Sequence, residues 1–407
     1  MKKDALDIIL SAIKAADPYD STKNILNKMK NEISGELTIF SIGKAAVPMA
    51  SAALDVFDNG IKNGLLVTKY GHCGTFRSSC FEVVEAAHPI SDENSILAAE
   101  KALAIAENLN ENDTLVVLLS GGGSALMEKS ILNADIQRDI TKKLLARGAE
   151  ISEINAIRRR ISLVKGGRLA ATAYPAKVYT VALSDVLNND KSVIASGITV
   201  EEPLPLSEFN RIADKFLPEY TDMFQNILVN DTKQKINDGG FFFAGDINSL
   251  CSAAEKKAKD LGYIVADSMR NLVGEASETA VRLIASTDGY CGKKAFIYGG
   301  ETTVTLKGNG LGGRNQEMAL RAAIELKGRE NVIFASAGSD GTDGPTDAAG
   351  GIVDGNTYYE MVKKGINPEA ELENNNSYYA LKAVDALVIT GPTGTNVNDL
   401  TLILTDY

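Results

Sequence analysis

Short apolar runs alternate with stretches of helical spacing through the first half of the chain. The runs are rich in leucine, isoleucine and valine, which is typical of strands buried on both faces. We predict strands at Leu37–Ile42, Leu65–Thr68, Phe81–Glu85, Thr114–Leu119 and Lys177–Leu183. Helical patterns lie between most of them, at Ala45–Phe57, Ser95–Leu109 and Ala134–Leu145. Such alternation predicts a parallel sheet with helices on both of its faces.

A second alternating set occupies the rest of the chain. Its predicted strands are Phe241–Ala244, Tyr263–Ala266, Lys294–Tyr298, Thr302–Leu306, Val332–Ser336, Ala386–Ile389 and Leu400–Leu404. Its predicted helices include Ser249–Leu261 and Gly274–Ser286. We therefore predict an α/β protein with two α/β domains, residues 1–225 and 226–407. In such sheets, ligands bind beyond the carboxyl ends of the strands.

Composition and charge exclude several functional classes. The 407 residues carry a net charge of −11, which argues against nucleic-acid binding because that requires a basic surface. No apolar run reaches the roughly 18 residues of a membrane span, and the N-terminal stretch lacks the apolar region of a signal peptide. We expect a cytoplasmic protein whose four cysteines are free thiols, because they form no paired motif: Cys73, Cys80, Cys251 and Cys291.

Histidine chemistry is confined to two residues. His72 and His88 both precede Ser120 and Ser124, the serines of the best candidate turn at a strand end. The Ser…Asp…His order of α/β-hydrolases is therefore not available to these serines.

Glycine turns follow two of the predicted strands. Gly43-Lys44 departs from a P-loop because Ala45 stands where Ser or Thr would bind Mg²⁺. Lys44 is therefore either a surface lysine or a cation that reaches a phosphate or carboxylate. The other turn, Ser120-Gly121-Gly122-Gly123-Ser124, matches neither GxGxxG nor GxSxG. Successive glycine N–H groups can converge on one anion, which favours a phosphate cradle over a plain turn.

Basic residues are concentrated between positions 155 and 168. The segment reads NAIRRRISLVKGGR, and its polar positions recur every three or four residues. This spacing predicts one helix face that carries Arg158, Arg159 and Lys165. Such a face can bind an anion, line a domain interface or simply be solvated.

Two acidic loops also follow predicted strands. Asp185 and Asn188 lie just beyond Lys177–Leu183, while Asp340 and Asp343 follow Val332–Ser336. Carboxylates at strand ends can bind Mg²⁺ or accept a proton. Asp and Asn are equally common in turns that only contact water, so both interpretations stay open.

The densest glycine cluster is GGETTVTLKGNGLGGRNQE, residues 299–317. It contains Glu301, Gly312 and Gly313, and it ends in Arg314-Asn315 at the start of a helical pattern. A glycine loop with an arginine at a helix N-terminus is typical of anion binding. The same sequence pattern also fits a flexible hairpin that precedes a helix.

Together these motifs supply donors, fixed cations and hard oxygen ligands, which are what phosphoryl transfer needs. The chain also resembles the class II glycerate kinases, or glycerate 2-kinases with a C-terminal MOFRL domain. The resemblance covers nearly the whole chain and rests on these motifs: SIGKA (41–45), LLSGGGSAL (118–126), NAIRRRISLVKGGRLA (155–170), LSDV (183–186), GGETTVTLKGNGLGGRNQE (299–317), GSDGTDGPTDAAG (338–350) and GPTGTNVNDL (391–400).

The resemblance implies a fold and an activity. The expected fold is an N-terminal Rossmann-like parallel sheet and a C-terminal mixed-sheet domain, with the active site in a cleft between them. The expected reaction converts D-glycerate and ATP to 2-phosphoglycerate and ADP with Mg²⁺ or another divalent cation. Two alternatives are an NAD(P)H-dependent hydroxypyruvate reductase, which the missing dinucleotide fingerprint disfavours, and a non-catalytic sensor of anionic metabolites. The oligomeric state stays open, a homodimer included.

Roles for individual residues follow from the motifs and the resemblance. Lys44 and Arg314 are expected catalytic cations, and Asp185 is expected to orient the hydroxyl or organise the metal. Asp340 and Asp343 are expected to hold Mg²⁺ through bound ATP. Substrate or phosphate binding is assigned to Gly121, Gly122, Gly123, Ser124, Arg158, Arg159, Lys165, Asn188, Glu301, Gly312, Gly313 and Asn315. Arg314 faces either the glycerate carboxylate or the ATP phosphates.

Overall fold

Helices and strands alternate throughout the computed structural model, which describes residues 1–202, 204–228 and 235–407. The strands are β1 Leu37–Ile42, β2 Ile61–Lys69, β3 Phe81–Ala86, β4 Thr114–Leu119, β5 Lys177–Leu183, β6 Asn237–Gly245, β7 Ile264–Leu272, β8 Lys293–Gly300, β9 Val332–Gly338, β10 Gly350–Asp354, β11 Leu387–Val388 and β12 Asp399–Asp406. The helices are α1 Lys2–Ala15, α2 Pro18–Met29, α3 Ala46–Phe57, α4 Glu93–Ala106, α5 Gly123–Leu126, α6 Ala134–Ala146, α7 Ile151–Arg160, α8 Arg168–Thr172, α9 Leu206–Phe216, α10 Thr221–Leu228, α11 Ile247–Asp260, α12 Ala276–Ala285, α13 Arg314–Glu325, α14 Thr357–Lys363, α15 Pro368–Glu373 and α16 Ser377–Ala383.

The first sheet has the strand order β3-β2-β1-β4-β5-β6. Strands β1 to β5 pair in parallel, with Ile42 of β1 opposite Val67 of β2 and Leu119 of β4. Every residue of β1 and β4 is buried, which explains their uninterrupted apolar sequences. Because the strands are parallel, the turns that follow β1, β2, β4 and β5 begin at the same edge of the sheet.

The second sheet has the order β11-β10-β9-β12-β8-β7 and is mixed. Strand β12 pairs antiparallel with both β8 and β9, while β7 pairs parallel with β8. All but the last residue of β12 are buried. The register places Asp399 opposite Gly300 and Gly338, so the first residue of β12 meets the last residues of β8 and β9. The prediction of two α/β domains, one with a parallel sheet and one with a mixed sheet, is confirmed.

Aspartate–serine capping boxes begin helices α4 and α11. Asp92 accepts a 3.0 Å hydrogen bond from the Ser95 N–H before α4, and Asp246 accepts a 2.8 Å bond from the Ser249 N–H before α11. In each box the serine Oγ in turn accepts a hydrogen bond from the backbone N–H of the aspartate. These serines, predicted as the first helical residues, therefore occupy the third position of helices that begin two residues earlier.

Contacts divide the chain into two compact units. The first unit comprises Thr22–Ala182 and Asp190–Ala244, and the second comprises Met1–Ser21, Leu183–Asn189 and Gly245–Tyr407. Within the second unit, α1 packs against α11, and Tyr263 donates a 2.7 Å hydrogen bond to Asp4. The structure therefore distributes the chain differently from a single division into 1–225 and 226–407, which falls inside α10.

Three local predictions are wrong. Thr302–Leu306 is not a strand, since Thr303 makes only an isolated bridge to Glu275. Phe241–Ala244, predicted in the second sheet, lies in β6 at the edge of the first. The basic helix ends at Arg160, so Lys165 lies in the loop before α8, where Gly166 and Gly167 adopt positive φ angles of 58° and 82°.

Strand β10 was not predicted, because its sequence begins with two glycines and is only five residues long. No helix within the described ranges is long and apolar enough to cross a membrane.

We expect Leu402→Ala to destabilise the protein strongly. Leu402 lies in the middle of β12 and is 0% exposed, so the truncation leaves a cavity that costs about 2–5 kcal/mol. Leu10→Ala is the matched control, because Leu10 is 44% exposed and surface truncations change stability by about 0.5 kcal/mol or less. Guanidinium denaturation would show a lower midpoint for Leu402→Ala only. Equal midpoints for the two variants would contradict the central position of β12.

Candidate active site

Two glycine turns meet at the carboxyl edge of the first sheet. Because β1 and β4 are parallel neighbours, the turn at Gly43-Lys44 lies against the turn that begins at Ser120. The Lys44 N–H donates to the Gly121 carbonyl at 2.9 Å, and the Ala45 N–H donates to Ser120 Oγ at 3.0 Å. Gly43 has φ +130°, and a Cβ there would lie 2.2 Å from Ser120 Oγ. The structure therefore brings Lys44 and the triple glycine together.

Gly122 lies beneath two cationic or ionisable side chains. It has φ +89°, and a Cβ on it would lie 3.0 Å from His88 Cδ2 and 3.5 Å from Lys44 Cγ. Lys44 is exposed, and no carboxylate of the described chain forms an ion pair with its Nζ. In a protein of net charge −11, an unpaired lysine beside a glycine turn is available to bind an anion.

His88 is a residue of this cluster that the sequence did not single out. Its burial, together with the positive charges of Lys44 and Lys69, lowers the pKa of His88 below the usual histidine value. His88 is therefore neutral near pH 7. The signal that could have found it is its position just after β3, at the same sheet edge as Lys44.

Ser124 contacts a loop with unusual backbone geometry. Its Oγ lies 2.7 Å from Ser196 Oγ. Ala195 and Ser196 have φ angles of 47° and 57°, which are rare for residues with side chains and occur most often at functional sites. A Cβ on Gly123 would lie 3.1 Å from the Ala195 Cβ, a tight contact that favours glycine at position 123.

The predicted basic residues of α7 and the following loop are paired with glutamates of the same unit. Arg159 lies 2.8 Å from Glu202, and Arg158 lies 3.4 Å from Glu128. Lys165 is 0% exposed, and its Nζ also contacts Glu128. A buried lysine must be paired in this way, since an unpaired buried charge is very costly. These pairs explain the basic cluster structurally, and a role for the three residues in substrate binding stays a prediction.

Arg314 has its guanidinium fixed by two carboxylates. Its Nε and Nη2 donate to the two carboxylate oxygens of Asp399 at 2.5 and 3.0 Å, and its Nη1 lies 3.2 Å from Glu301. Burial by itself lowers the pKa of Arg314, but the hydrogen bond and charge of Asp399 raise it on balance. Arg314 is therefore a permanently charged fork at the start of α13, with its orientation set by Asp399.

Asn398 connects this ion pair to another predicted residue. Its side-chain amide donates to the backbone carbonyl of Asp185 at 2.9 Å and to Glu301 at 3.4 Å. The structure thus links Arg314, Glu301 and Asp185. Asn398 and Asp399 were not predicted as site residues, although their motif, GPTGTNVNDL, was noted. Asn188, the other predicted residue of this loop, is exposed.

Asp343 caps α13. One carboxylate oxygen accepts the Asn315 N–H at 3.2 Å, and the other accepts the Gln316 N–H at 2.8 Å. Asn315 adds a side-chain bond of 3.3 Å to Asp343. Burial raises the pKa of Asp343 to about 7, against the opposing effect of these hydrogen bonds. Asp343 therefore organises the glycine-loop end of the helix through its own carboxylate oxygens.

The predicted metal ligands do not form a closed cage. Asp340 is half-buried and accepts the Thr342 N–H at 2.9 Å. Nowhere in the described ranges do three or more His, Cys, Asp or Glu side chains form a group that could hold a metal ion. Mg²⁺ that arrives with a nucleotide usually needs only one or two carboxylates besides the phosphates, so this donor set fits such an ion. The metal assignment stays a prediction.

Several of the predicted site residues of the second unit line one cavity. Its volume is about 360 Å³, and it is lined by Glu301, Thr302, Thr303, Val304, Leu306, Gly312, Gly313, Arg314, Glu317, Asp343, Gly344 and Asn375. Five of these were predicted from the sequence.

Comparison with known proteins assigns the family. Residues 4–228 match a domain of unknown function, DUF4147, and residues 294–399 match the MOFRL family. A D-glycerate 2-kinase from Thermotoga maritima is 43% identical over 98% of this chain and 97% of its own length. The chain belongs to the glycerate 2-kinase family.

Other members agree with this fold and differ in their names. The crystal structure of a Thermotoga maritima glycerate kinase superimposes with a TM-score of 0.93 at 42% identity and covers 99% of both chains. A putative hydroxypyruvate reductase from Agrobacterium vitis is 36% identical over 97% of this chain and 92% of its own length. The predicted family resemblance is confirmed.

We expect the pKa of His88 to respond to the charge of Lys44. His88 should titrate below the usual value of about 6.5, and Lys44→Ala should raise its pKa, because a nearby positive charge is removed. Titration by NMR would measure this, with His72→Gln to assign the two signals and Lys62→Ala, an exposed lysine paired with Glu36, as the control. Unchanged titration in Lys44→Ala would contradict the cluster.

The lowered pKa of His88 also affects the stability of the fold. A histidine whose pKa is lowered by folding binds fewer protons in the folded protein than in the unfolded chain. Below pH 6.5 the unfolded state gains these protons first, so His88 should destabilise the fold as the pH falls. In His88→Gln, the unfolding free energy should therefore fall less steeply as the pH drops below 6.5.

Proposed function

We propose that the protein phosphorylates D-glycerate at the 2-hydroxyl with ATP, which yields 2-phosphoglycerate and ADP. The observation that carries the proposal is the Arg314 fork, held in place by Asp399 and Glu301 at the edge of a glycine-lined cavity. Membership of the glycerate 2-kinase family supports the substrate, and the name of the Thermotoga relative, D-glycerate 2-kinase, supports the position of transfer.

The proposed reaction is a single in-line displacement. The 2-hydroxyl oxygen of glycerate bonds to the γ-phosphorus of ATP, and the bond from that phosphorus to the β–γ bridging oxygen breaks. The electron pair leaves with ADP, and the hydroxyl proton passes to a carboxylate, for which we propose Asp185 at the end of β5. Positioning and charge stabilisation supply most of the catalysis in reactions of this kind.

Each cation then has a defined task. Lys44 stabilises negative charge on the transferring phosphoryl group, and Arg314 binds an anionic oxygen of the substrates through its fixed fork. The glycine turn of Gly121, Gly122 and Gly123 brings backbone N–H groups close to phosphate oxygens. Mg²⁺ bound to ATP would neutralise phosphate charge when present, with Asp340 as its proposed protein ligand and Asp343 as the alternative.

All four cysteines are free, which fits our proposal of a cytoplasmic location.

An assay coupled to enolase tests the reaction and its position. ATP, Mg²⁺ and D-glycerate are supplied with enolase and without phosphoglycerate mutase. Signal without mutase means that 2-phosphoglycerate is formed, as we expect. Signal only with mutase means transfer to the 3-hydroxyl, and no release of ADP would contradict the kinase proposal. Hydroxypyruvate with NADPH, followed by nicotinamide absorbance, tests the reductase alternative in the same preparation.

We expect Lys44→Ala to lower kcat by roughly tenfold or more, the scale of a lost charge-stabilising contact. Its melting temperature should stay unchanged, because Lys44 is exposed and makes no ion pair with the described residues. Lys62→Ala is again the matched control and should change neither quantity. A parallel fall in melting temperature would instead indicate a structural role for Lys44.

Arg314 requires a different substitution. Arg314→Ala would leave Asp399 buried without its cation and destabilise the protein, so lost activity would be ambiguous. Arg314→Lys keeps the charge but loses the fork. We expect it to lower kcat/KM by roughly tenfold or more, as expected for a lost preorganised donor, with a smaller loss of melting temperature than Arg314→Ala. Wild-type kinetics in Arg314→Lys would exclude a role for fork geometry.

A further inference from the structure

The cavity beside Arg314 has an apolar wall that the proposed reaction does not use. Val304 and Leu306 line it, and Leu306 is 77% exposed although it is a large apolar residue. Glycerate is small and polar, so it gives no reason for such a wall. An exposed leucine at the rim of a cavity is typical of contact with an apolar part of a ligand.

The segment Thr302–Leu306 also presents a free backbone edge. The Thr303 N–H donates to Gly274 at 2.9 Å, and the Thr305 N–H donates to Glu275 at 3.0 Å. In an extended chain, successive N–H groups point to opposite sides, so those of Thr302, Val304 and Leu306 point away from these partners. None of these three N–H groups has an acceptor in the described part of the chain.

The glycine loop forms the other side of the cavity at close range. A Cβ on Gly313 would lie 2.4 Å from Asp343 Cγ, and a Cβ on Gly312 would lie 2.1 Å from Ser377 Oγ. Gly313 therefore excludes a side chain, whereas one at position 312 would first have to displace the Ser377 hydroxyl. The N–H groups of Gly312 and Gly313 also lack acceptors among the residues described, and the Arg314 guanidinium lies next to them.

Three acidic side chains line the cavity. Glu301 and Glu317 line it together with Asp343, and all three carry carboxyl groups. Glu317 accepts hydrogen bonds from Ser277 at 3.1 Å and Asn375 at 3.0 Å, and burial raises its pKa. Carboxyl groups disfavour a ligand whose charge lies in the body of the cavity. Glu301 and Asp343 lie at the Arg314 end, where the guanidinium offsets their charge, whereas Glu317 suits an uncharged group in the rest of the cavity.

We propose that this cavity holds the adenosine part of ATP. The adenine base lies along the free edge of Thr302–Leu306 beneath Leu306, and the phosphates extend towards Gly312, Gly313 and Arg314. Adenine carries an acceptor nitrogen beside an amino donor, which complements an N–H and a C=O on one backbone edge. The volume of about 360 Å³ is near the lower end of small-molecule pockets, roughly 300 Å³, and suits a nucleoside. The proposal rests on the proposed kinase function.

The test compares two leucines of the same loop. Leu306→Asn replaces the cavity wall with an uncharged polar group of similar size. Leu311→Asn is the matched control, because Leu311 is 39% exposed and does not line the cavity. Adenosine and inorganic tripolyphosphate serve as inhibitors, because they probe the base end and the phosphate end separately. KM for ATP, KM for D-glycerate, kcat and both inhibition constants are measured for each protein.

We expect Leu306→Asn to raise KM for ATP and the inhibition constant of adenosine by about tenfold, the scale of one lost apolar side-chain contact. Its kcat, KM for glycerate and inhibition by tripolyphosphate should stay unchanged, and Leu311→Asn should resemble the wild type. An unchanged KM for ATP in Leu306→Asn, or a change in KM for glycerate instead, would overturn the nucleoside site while the kinase function stands.

A second measurement separates this proposal from the proposed function. If the wild type releases no ADP with glycerate, the kinase proposal fails. A thermal-shift measurement then tests separately whether the cavity binds a nucleoside. Adenosine should raise the melting temperature of the wild type and of Leu311→Asn but not of Leu306→Asn, since only a bound ligand stabilises the fold. No shift in the wild type would overturn the nucleoside site.

Discussion

The ion pair between Arg314 and Asp399 is the interaction on which the second unit's site depends. Asp399 is 5% exposed and begins β12, the strand that joins β8 to β9. A buried carboxylate requires a partner with matched geometry, and the arginine fork supplies two parallel hydrogen bonds. The pair therefore fixes the start of α13 against the middle of the sheet. Glu301, Asn398 and Asp343 take their positions around it, and the free cavity lies on its open side.

The parallel sheet could be predicted because strands that are buried on both faces have uninterrupted apolar sequences. Strands β1 and β4 consist of uninterrupted buried residues bounded by turns, which is typical of parallel strands covered on both faces. The segment Thr302–Leu306 has the same β-rich composition, but its partners are a loop carbonyl and the Glu275 side chain rather than a strand. Composition reports a preference for extended backbone, whereas a strand also needs a neighbour that tertiary structure supplies.

In the candidate site too, local sequence patterns could be recognised, but contacts between residues far apart in the chain could not. Lys44 and the glycines at 121–123 were found because a turn after a buried strand is a local signal, and parallel pairing then brings the two turns together. Arg158, Arg159 and Lys165 gave an equally strong local signal. Their partners, Glu128 and Glu202, lie about 30 to 40 residues away along the chain, and sequence alone does not pair them. Asp399 was missed for the same reason, since it lies 85 residues from Arg314.

The exchange of segments between the compact units has a consequence for how this protein can be altered. The chain passes from one unit to the other after Ser21, after Ala182, after Asn189 and after Ala244. No single cut yields two fragments that each contain a whole unit, so a truncated half would lack part of its own core. Recombination between relatives that joins the front of one chain to the back of another would therefore build at least one unit from segments of two parents. Neither unit can be transferred as one continuous segment, because the first comprises two segments and the second comprises three.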